Sequence, residues 1–284
     1  MFDVCVVGHV TKDLVKIGTR QREMPGGTAY YLPLAIRSLG MNVSVVTKIS
    51  KDDEALLDRL KQEKIPIFLR ESPRTTTFIN IYSGGLDNRQ QRVIDVALPF
   101  TVEDVEGIES RIFHLGPLTK GDISLDTLRS LSARSRISLD AQGFLRDIEE
   151  GGEKPGKVKL TDWEEKEKAL PLVSILKTDE EEAQVLSQEE DLRKMALRLS
   201  GYGPEEIIIT RGSRGSLIYS KGKFYSIPSF PPRRLLDPTG CGDTYMAGYL
   251  FLRQNTNSLR EVGEFAARTA SAKLENYGPF IRRD

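Results

Sequence analysis

Residues 236–244 read Leu-Asp-Pro-Thr-Gly-Cys-Gly-Asp-Thr, and residues 245–250 continue as Tyr-Met-Ala-Gly-Tyr-Leu, a pattern typical of the start of a helix. Gly240 and Gly242 flank Cys241, so three successive backbone N–H groups can point into one small space without obstruction by side chains. A helix N-terminus with free amides and a positive dipole end binds anions. The stretch therefore predicts an anion site, and Asp243 lies inside it.

Asp243 is the unusual member of this predicted site. A carboxylate repels a bound anion, unless its task is to accept a proton from a hydroxyl that attacks the anion. The alternative for an isolated Gly-x-Gly-Asp is a glycine-rich turn capped by Asp. The complete stretch, with Pro238 directly after Asp237, favours phosphoryl transfer with Asp243 as the general base.

The stretch resembles the C-terminal signature of the ribokinase-like (PfkB-type) carbohydrate kinases, usually written D-T-x-G-A-G-D. The matching residues are Asp237, Thr239, Gly240, Gly242 and Asp243. Pro238 stands where Thr is common, and Cys241 stands where Ala is common. The resemblance covers essentially the whole chain. It implies that the amides of Gly240, Cys241 and Gly242 hold the transferred phosphoryl group while Asp243 takes the proton.

Composition fits a small-molecule enzyme. The chain has 284 residues with 41 Lys+Arg and 41 Asp+Glu, so no net charge attracts nucleic acid or an anionic membrane. No apolar run approaches the roughly 18–20 residues of a membrane span. The first eight residues read as a buried strand and not as a signal peptide. Cys5 and Cys241 give no disulfide framework, which favours a reducing, cytoplasmic setting.

Short apolar runs alternate with helical patterns along the chain. The apolar runs are 3–7, 43–48, 65–69, 112–115, 137–140, 172–177 and 207–210. The helical patterns are 26–39, 52–64, 125–133, 192–200, 239–253 and 266–275. The alternation predicts an α/β fold with a mainly parallel sheet covered on both faces. The resemblance implies a single kinase domain, 1–284, with the ribokinase-like three-layer α/β/α arrangement. Residues 217–219 and 224–227 predict a β-hairpin.

Two segments, about 14–22 and 75–97, interrupt the alternation with strand patterns and no helix between them. Ribokinase-like kinases carry a small β lid built from comparable segments, and we assign these segments to it, with a turn at Gly84–Asn88. The alternative is a peripheral hairpin at the sheet edge. Related kinases pair through the lid, so a homodimer is one arrangement that the resemblance implies. The charge-dense segment 149–168 predicts a solvated loop that runs into a helix.

The N-terminal half holds the candidate acceptor site. Asp13 follows the first strand, and its two oxygens suit the hydroxyls of a sugar or polyol; the alternative is an N-cap or surface Asp. Gly26 and Gly27 precede a helix, where the family brings backbone close to the substrate. The family's common Asn, four residues after the second glycine, is replaced by Tyr31. Tyr31 is either a substrate contact or a core aromatic residue.

The replacement by Tyr31 argues against a simple ribose or fructose pocket. Residues 140–146, Asp-Ala-Gln-Gly-Phe-Leu-Arg, and 156–160, Gly-Lys-Val-Lys-Leu, resemble the family's inositol kinases. This resemblance favours a cyclic polyol such as myo-inositol. Arg146, the last residue of the first of these segments, has two possible roles: it reaches toward phosphates, or it is a solvent-exposed surface arginine.

A candidate donor site follows a second predicted strand. Residues 176–182, Leu-Lys-Thr-Asp-Glu-Glu-Glu, resemble the family's N-x-x-E element, with Asp179 in place of Asn and Glu182 matching Glu. The resemblance implies that Lys177 and Asp179 contact the nucleotide and that Glu182 acts on Mg²⁺ through water, which suits an ion that keeps most of its waters. The alternative is that Asp179 is only an N-cap.

Residues 210–215, Thr-Arg-Gly-Ser-Arg-Gly, resemble the family's T-x-G-x-x-G turn near the nucleotide. The resemblance implies cofactor contacts from Thr210, Gly212 and Gly215, and an adenine pocket at Gly278. Arg211 and Arg214 are compatible with phosphate, although solvated arginines are commoner on such turns.

The sequence thus predicts an ATP- and Mg²⁺-dependent kinase that phosphorylates a hydroxyl of a sugar or cyclic polyol. The alternatives are a nucleoside kinase of the same fold and a non-catalytic nucleotide or sugar sensor, which would have no use for Asp243. A dehydrogenase is excluded because no G-x-G-x-x-G follows the first strand. His9 and His114 are predicted to be structural. The helix N-terminus is expected to give Cys241 thiolate character, and the sequence leaves open whether activity is redox-sensitive.

Overall fold

Strand β1 (Phe2–Val7) lies near the centre of the larger of two sheets. Val4 and Val6 pack into one hydrophobic cluster, while Cys5 and Val7 pack into a second cluster on the opposite face. Strands buried on both faces read as continuous apolar runs, which is why the first apolar run predicts this position correctly. The computed structural model describes residues 1–17, 20–82, 89–148 and 156–282.

Fifteen strands are formed within the described residues. After β1 they are β2 (Thr11–Ile17), β3 (Arg20–Gly26), β4 (Val43–Ile49), β5 (Ile67–Glu71), β6 (Thr77–Tyr82), β7 (Arg89–Asp95), β8 (Ser110–Leu115), β9 (Arg136–Asp140), β10 (Arg146–Ile148), β11 (Gly156–Leu160), β12 (Ile175–Asp179), β13 (Glu206–Thr210), β14 (Ser216–Ser220) and β15 (Lys223–Ile227).

The large sheet has the strand order β15-β14-β13-β12-β9-β8-β1-β4-β5. Its neighbours from β13 to β5 pair in parallel, and β14 and β15 add an antiparallel hairpin at one edge. The predicted mainly parallel sheet and the predicted hairpin are both confirmed. Because parallel strands end at the same edge, β9, β12 and β13 bring Asp140, Asp179 and Thr210 to one side of the sheet.

Helices cover both faces of this sheet. They are α1 (Thr28–Ser38), α2 (Asp58–Gln62), α3 (Val102–Val105), α4 (Leu125–Ser132), α5 (Lys166–Ala169), α6 (Glu180–Ser187), α7 (Leu192–Gly201), α8 (Cys241–Arg253) and α9 (Leu259–Leu274). Apolar residues of α1, α8 and α9 pack on one face, and those of α4, α6 and α7 pack on the other. The three-layer α/β/α arrangement is confirmed.

The smaller sheet has the order β10-β11-β7-β6-β2-β3, and we call it the lid. It contains the strands expected near 14–22 and 75–97. The expected turn Gly84–Asn88 lies outside the described residues. The segment predicted as a solvated loop is different: β10 and β11 pair antiparallel and join the lid through β7. Residues 149–155, the first part of that segment, also lie outside the described residues.

No helix in the part of the chain that the structure describes is both long and apolar enough to cross a membrane.

Candidate active site

A cavity of about 270 Å³ lies at the carboxyl edge of the large sheet, against the lid. Ten of the residues singled out from the sequence line it: Asp13, Gly27, Tyr31, Lys177, Asp179, Thr210, Gly240, Cys241, Gly242 and Asp243. Five others are not in its lining: Gly26, Glu182, Gly212, Gly215 and Gly278. The fold therefore joins both halves of the chain in one chamber, while the more distant part of the expected nucleotide site lies outside it.

The start of α8 forms the floor of this cavity. Gly240 is the N-cap with a φ of 72°, a left-handed conformation that glycine adopts without strain. A Cβ at Gly240 would lie only 2.3 Å from the ring of Tyr31. Position 240 is therefore restricted to glycine both by its backbone conformation and by the packing of the aromatic ring beneath it.

The amides of the α8 floor differ from the prediction in one respect. The N–H of Cys241 donates to the carbonyl of Pro238 at 3.2 Å and is turned away from the cavity by this bond. Within the described residues, the amides of Gly242 and Asp243 have no backbone acceptor, as is usual in a first helical turn. In this conformation the free amides of the candidate anion site are therefore those of Gly242 and Asp243.

Asp243 lies in the first turn of α8, in the cavity wall. Burial raises the pKa of its carboxyl to about 6, and the nearby charge of Asp140 acts in the same direction. A hydrogen bond with Thr28 and the charges of Lys177 and Arg146 oppose the rise. A carboxylate with a pKa near 6 is charged at neutral pH and is more basic than an exposed Asp, which suits proton abstraction.

Lys177 supplies positive charge at the floor. Its Nζ lies 2.8 Å from Oδ2 of Asp140, and both side chains are buried. Its Nζ would lie 3.4 Å from a Cβ at Gly242, so the ammonium lies next to Gly242 in the cavity wall. Burial alone lowers the pKa of Lys177, but the charges of Asp140 and Glu182 more than offset this and raise it. The ammonium therefore stays charged beside the anion site.

Glu182, the residue expected to act on Mg²⁺, and Asp179, the expected nucleotide contact, together form a helix cap. Asp179 is the N-cap of α6; its side chain accepts from the amide of Glu182 at 2.8 Å, and the carboxylate of Glu182 accepts from the amide of Asp179 at 2.8 Å. Burial raises the pKa of Glu182 to about 7. Among the described residues, no group of three or more His, Cys, Asp or Glu is arranged to hold a metal ion. This sparse donor set fits Mg²⁺ only as an ion carried mainly by phosphates and water.

The turn after β13 is held by ion pairs with α6. Arg211 and Arg214 both pair with Glu180, which neutralises the charges expected to suit phosphate. Gly215 has a φ of 84°, and a Cβ there would lie 2.2 Å from the carbonyl oxygen of Ile227. The arginines and Gly215 of this turn therefore each have a structural role within the turn and its contacts. Thr210 reaches the cavity from the end of β13.

Asp13 lies on β2 of the lid and is buried, neither an N-cap nor a surface residue. Its Oδ1 accepts from Oγ1 of Thr11 at 2.7 Å, and its Oδ2 accepts from Nδ2 of Asn80 at 3.2 Å. Oδ1 of Asn80 in turn accepts from Nε2 of Gln91 at 3.0 Å. We call Thr11, Asp13, Asn80 and Gln91 the lid network. Thr11, Asp13 and Gln91 line the cavity, whereas Asn80 is outside the lining and connects Asp13 to Gln91.

The glycine pair beside Asp13 has a steric explanation. A Cβ at Gly26 would lie 2.5 Å from Oδ2 of Asp13. Gly27 has a φ of 83°, and a Cβ there would lie 2.3 Å from the carbonyl oxygen of His9. Glycine at both positions allows the end of β3 to approach Asp13 closely and the start of α1 to approach His9 closely.

Tyr31 is a core aromatic residue and also faces the cavity, so it fits both roles considered from the sequence. Its side chain is 1% exposed and belongs to the main hydrophobic cluster, yet it lines the cavity. Its hydroxyl is buried without a hydrogen-bond partner among the described residues. Burial raises its pKa, and Asp237 and Asp13 raise it further, so the hydroxyl remains protonated and able to donate.

Sequence reasoning missed Asn80, Gln91 and Thr28, and did not assign a role to Asp140. Asn80 and Gln91 reach the site only through the pairing of β6 with β7, which no local pattern announces. Asp140 could have been recognised from the sequence. An Asp at the end of an apolar strand is costly to bury without a partner, so its position there predicts a nearby positive charge.

The expectation of thiolate character at Cys241 is wrong. Burial raises the pKa of the Cys241 thiol to about 11, despite the opposing charges of Lys273 and Lys177. His9 and His114 are fully buried, as a structural role requires. Burial lowers the pKa of His114 to about 4.

The chain is similar to known kinases. The profile of the pfkB family of carbohydrate kinases matches residues 154–281. A solved structure of a pyrophosphate-dependent kinase in the ribokinase family, complexed with a pyrophosphate analog and myo-inositol, is 30% identical, with a TM-score of 0.87 over 98% of this chain and 97% of that chain.

Two further relatives cover nearly the whole chain. One solved structure concerns the conversion of a pyrophosphate-dependent myo-inositol-1 kinase into a myo-inositol-3 kinase by leucine replacement of an asparagine and a serine eleven positions apart; it is 29% identical, with a TM-score of 0.86 over 98% of this chain and 95% of that chain. The cytidine kinase of Thermococcus kodakarensis is 28% identical over 294 residues, 98% of each chain.

Proposed function

The chain belongs to the PfkB family of carbohydrate kinases, and from that premise we propose that it transfers the γ-phosphoryl group of ATP to a hydroxyl of a cyclic polyol such as myo-inositol. As a member of this family it is a phosphotransferase that acts on hydroxyl groups. The observation that carries the finer proposal is the shared cavity. Asp243, free amides and Lys177 line one side of it, and Asp13 with its hydrogen-bonded lid network lines the other.

Asp243 acts as the general base in this proposal. It accepts the proton of the attacking hydroxyl, and its raised pKa of about 6 matches that task near neutral pH. The amides of Gly242 and Asp243 and the ammonium of Lys177 stabilise the charge on the transferred phosphoryl oxygens. If a bound anion draws the Cys241 amide away from Pro238, all the predicted donors contribute. Asp13 fixes the acceptor hydroxyl for in-line attack.

Two donors are consistent with the phosphate end of the site. ATP is expected from the sequence, with Mg²⁺ carried by its phosphates, Glu182 acting on the ion through water and Asp179 contacting the nucleotide. When bound, Mg²⁺ would neutralise phosphate charge. Pyrophosphate is the second candidate, because a 30% identical relative is pyrophosphate-dependent. Two observations are compatible with this smaller donor: Arg211 and Arg214 are paired with Glu180, and Gly212, Gly215 and Gly278 lie outside the cavity lining.

The acceptor is proposed from the lid network. Asn80 and Gln91 face each other on β6 and β7, eleven positions apart. A myo-inositol kinase changes its product when an asparagine and a serine at the same spacing are replaced. We infer that Asn80 and Gln91 select which hydroxyl of the acceptor faces Asp243. A ring of hydroxyls matches this polar wall better than a planar base does.

A nucleoside acceptor is the second candidate. The cytidine kinase of Thermococcus kodakarensis is similar over nearly its whole length, and the aromatic ring of Phe78 also lines the cavity, where it would contact a base.

A homodimer through the lid and location in the cytoplasm remain proposals from the sequence. Light scattering at several protein concentrations would test the dimer.

The deciding experiment crosses two donors with a panel of acceptors. Release of ADP from Mg-ATP, or of phosphate from Mg-pyrophosphate, is measured with myo-inositol, ribose, fructose, 2-keto-3-deoxygluconate, adenosine, inosine and cytidine. Turnover that needs myo-inositol and is lost in Asp243→Asn supports the proposal. Turnover with cytidine or inosine alone replaces it with a nucleoside kinase. Intact donor binding without turnover on any acceptor would favour the sensor.

A further inference from the structure

Lys273 is a fully buried lysine at the end of α9, behind the floor of the cavity. Its Nζ donates to the carbonyl of Asp237 at 2.7 Å and lies 2.9 Å from Oδ2 of the same residue. The carbonyl oxygen of Asn276 lies 3.5 Å from it. Each of the three ammonium donors therefore has an oxygen acceptor, and one of these acceptors is a charged carboxylate.

Asp237 connects this ammonium to the anion site. Its Oδ1 accepts from the amide of Thr239 at 2.9 Å, directly before Gly240, and its Oδ2 accepts from the amide of Gly278 at 3.1 Å. Although burial alone raises the pKa of Asp237, the Lys273 ammonium more than offsets this and holds it below its ordinary value. The loop 237–240, whose conformation orients the amides of α8, is thus bound to one buried positive charge.

A ring of carbonyl and carboxylate oxygens around one positive charge is also the environment that a monovalent cation would require. Here a covalently attached ammonium provides the charge, so no dissociable ion is needed. We propose that Lys273 is a positioning residue for phosphoryl transfer, a built-in cation that holds the loop 237–240 and makes turnover independent of added monovalent cations. The proposal rests on the kinase function proposed above.

The first test measures kcat of the wild type in KCl, NaCl and tetramethylammonium chloride at equal ionic strength. We expect values within twofold of one another. Stimulation by K⁺ or Na⁺ of more than threefold over tetramethylammonium would overturn the proposal, because an enzyme with a built-in cation gains nothing from a second one.

The second test compares two variants that both remove the charge. Lys273→Met keeps most of the side-chain volume, whereas Lys273→Ala opens a space. We expect both to lower kcat roughly 10- to 100-fold, the scale of a displaced catalytic group, with acceptor KM changed less than threefold. NH₄⁺ or K⁺ should restore kcat several-fold in Lys273→Ala and not in Lys273→Met. Wild-type kcat in Lys273→Met, or a cooperatively folded Lys273→Ala that no cation improves, would overturn the proposal.

Folding is controlled by a paired variant. Loss of Lys273 alone leaves Asp237 as an unpaired buried charge, which is strongly destabilising. Lys273→Met combined with Asp237→Asn removes both charges and keeps the chain folded for the same measurements. We expect its kcat to stay low although its melting temperature recovers. Recovery of both would mean a purely structural role.

The last test measures donor binding and needs no phosphoryl acceptor. Pyrophosphate added to the wild type should raise its melting temperature by binding at the α8 floor, and Lys273→Met should need at least tenfold more pyrophosphate for the same shift. An equal response in the two proteins would contradict the positioning role. If no acceptor on the panel is phosphorylated, the proposed function fails, and this arm still decides the role of Lys273.

Discussion

The floor and the lid of the cavity are built in opposite ways. The floor comes mainly from one continuous stretch, 237–243, at the start of α8, with Lys177 beside it. On the lid side, Asp13 and Gln91 line the cavity and Asn80 connects them, so the network draws on three different strands. Because free amides at a helix N-terminus come from consecutive residues, phosphoryl chemistry is encoded locally, whereas acceptor recognition depends on which strands pair. Changes in the floor should therefore affect kcat, and changes in the lid should affect KM and acceptor choice.

The largest effect is expected at Asp243. Asp243→Asn keeps the shape of the site and removes the base, so kcat should fall roughly 10²–10⁴-fold, with little change in the dissociation constant of the donor. Steady-state kinetics and donor titration measure the two quantities. Asp126→Asn, on the exposed face of α4, is the matched control and should leave both unchanged. Near wild-type turnover in Asp243→Asn would contradict the assignment of kcat to the floor and of KM to the lid.

Lys177 tests the charge of the floor. Lys177→Met removes the ammonium next to Gly242, so kcat should fall roughly 10²–10³-fold, as for loss of one stabilising donor. The same change leaves Asp140 buried without its partner, which should lower the free energy of unfolding by about 3–5 kcal/mol. Chemical denaturation alongside kinetics separates the two effects.

The stability loss and the rate loss at Lys177 can be uncoupled. Adding Asp140→Asn to Lys177→Met removes the unpaired charge and should restore most of the free energy of unfolding, while kcat stays low. If kcat recovers together with stability, the ammonium has no part in stabilising the phosphoryl group, and its role is to pair with Asp140.

A smaller effect, of a different kind, is expected in the lid. Asn80→Leu removes the donor to Asp13 and the acceptor for Gln91, so the acceptor KM should rise about tenfold, a loss of roughly 1.4 kcal/mol. We expect kcat to change less than threefold, with altered preference among hydroxyl positions visible by NMR of the product. Asn255→Leu, at an exposed position outside the cavity lining, is the control. A loss confined to kcat would contradict the division of roles.

The contrast between floor and lid also explains what the sequence could predict. The anion site and Asp243 were predictable because glycines, a helix start and a carboxylate lie within eight residues. The ion pair between Lys177 and Asp140, 37 residues apart, needed the parallel pairing of β9 with β12. The lid network needed the pairing of β6 with β2 and β7, which local patterns do not specify.

The strands β10 and β11 were missed for a related reason. Their residues alternate between partial and full exposure, with Lys157 and Lys159 pointing outward, so no apolar run marks them. At the turn 210–215, Gly215 is also required by the close approach of Ile227, and the cofactor contacts of this turn stay a prediction. Local rules therefore predicted the layers and the helix start that contains Asp243, and failed where edge strands and tertiary contacts decide the structure.

The pH dependence provides a further test of the floor. The base must be deprotonated to act, and the pKa of Asp243 is raised to about 6. We therefore expect kcat to be steady above pH 7 and to fall below pH 6, reaching about one tenth at pH 5. An unaltered kcat at pH 5, in a protein that remains folded, would contradict the assignment of Asp243.

The same raised pKa has a consequence for stability with a definite sign. A carboxyl whose pKa is higher in the folded state stabilises the fold below the unfolded pKa, near 4, and loses this contribution as pH rises through 6. Asp243→Asn should therefore raise the free energy of unfolding at pH 8 by roughly 1–3 kcal/mol, and by almost nothing at pH 3.5. Denaturant titrations at both pH values measure the difference.

The smallest effect is expected at Cys241, inside the most sensitive stretch of the floor. If this position acts through its backbone, Cys241→Ala should change kcat less than twofold. With a thiol pKa of about 11, only about one thiol in 10⁴ is ionised at pH 7, so iodoacetamide should inactivate the wild type slowly. Cys5, whose pKa burial raises to about 12, should be equally unreactive until the chain is denatured. Rapid inactivation of the wild type that Cys241→Ala abolishes would show that the Cys241 thiol is accessible and reactive. It would also show that turnover depends on the side chain at position 241, in addition to the amides and charges of the floor.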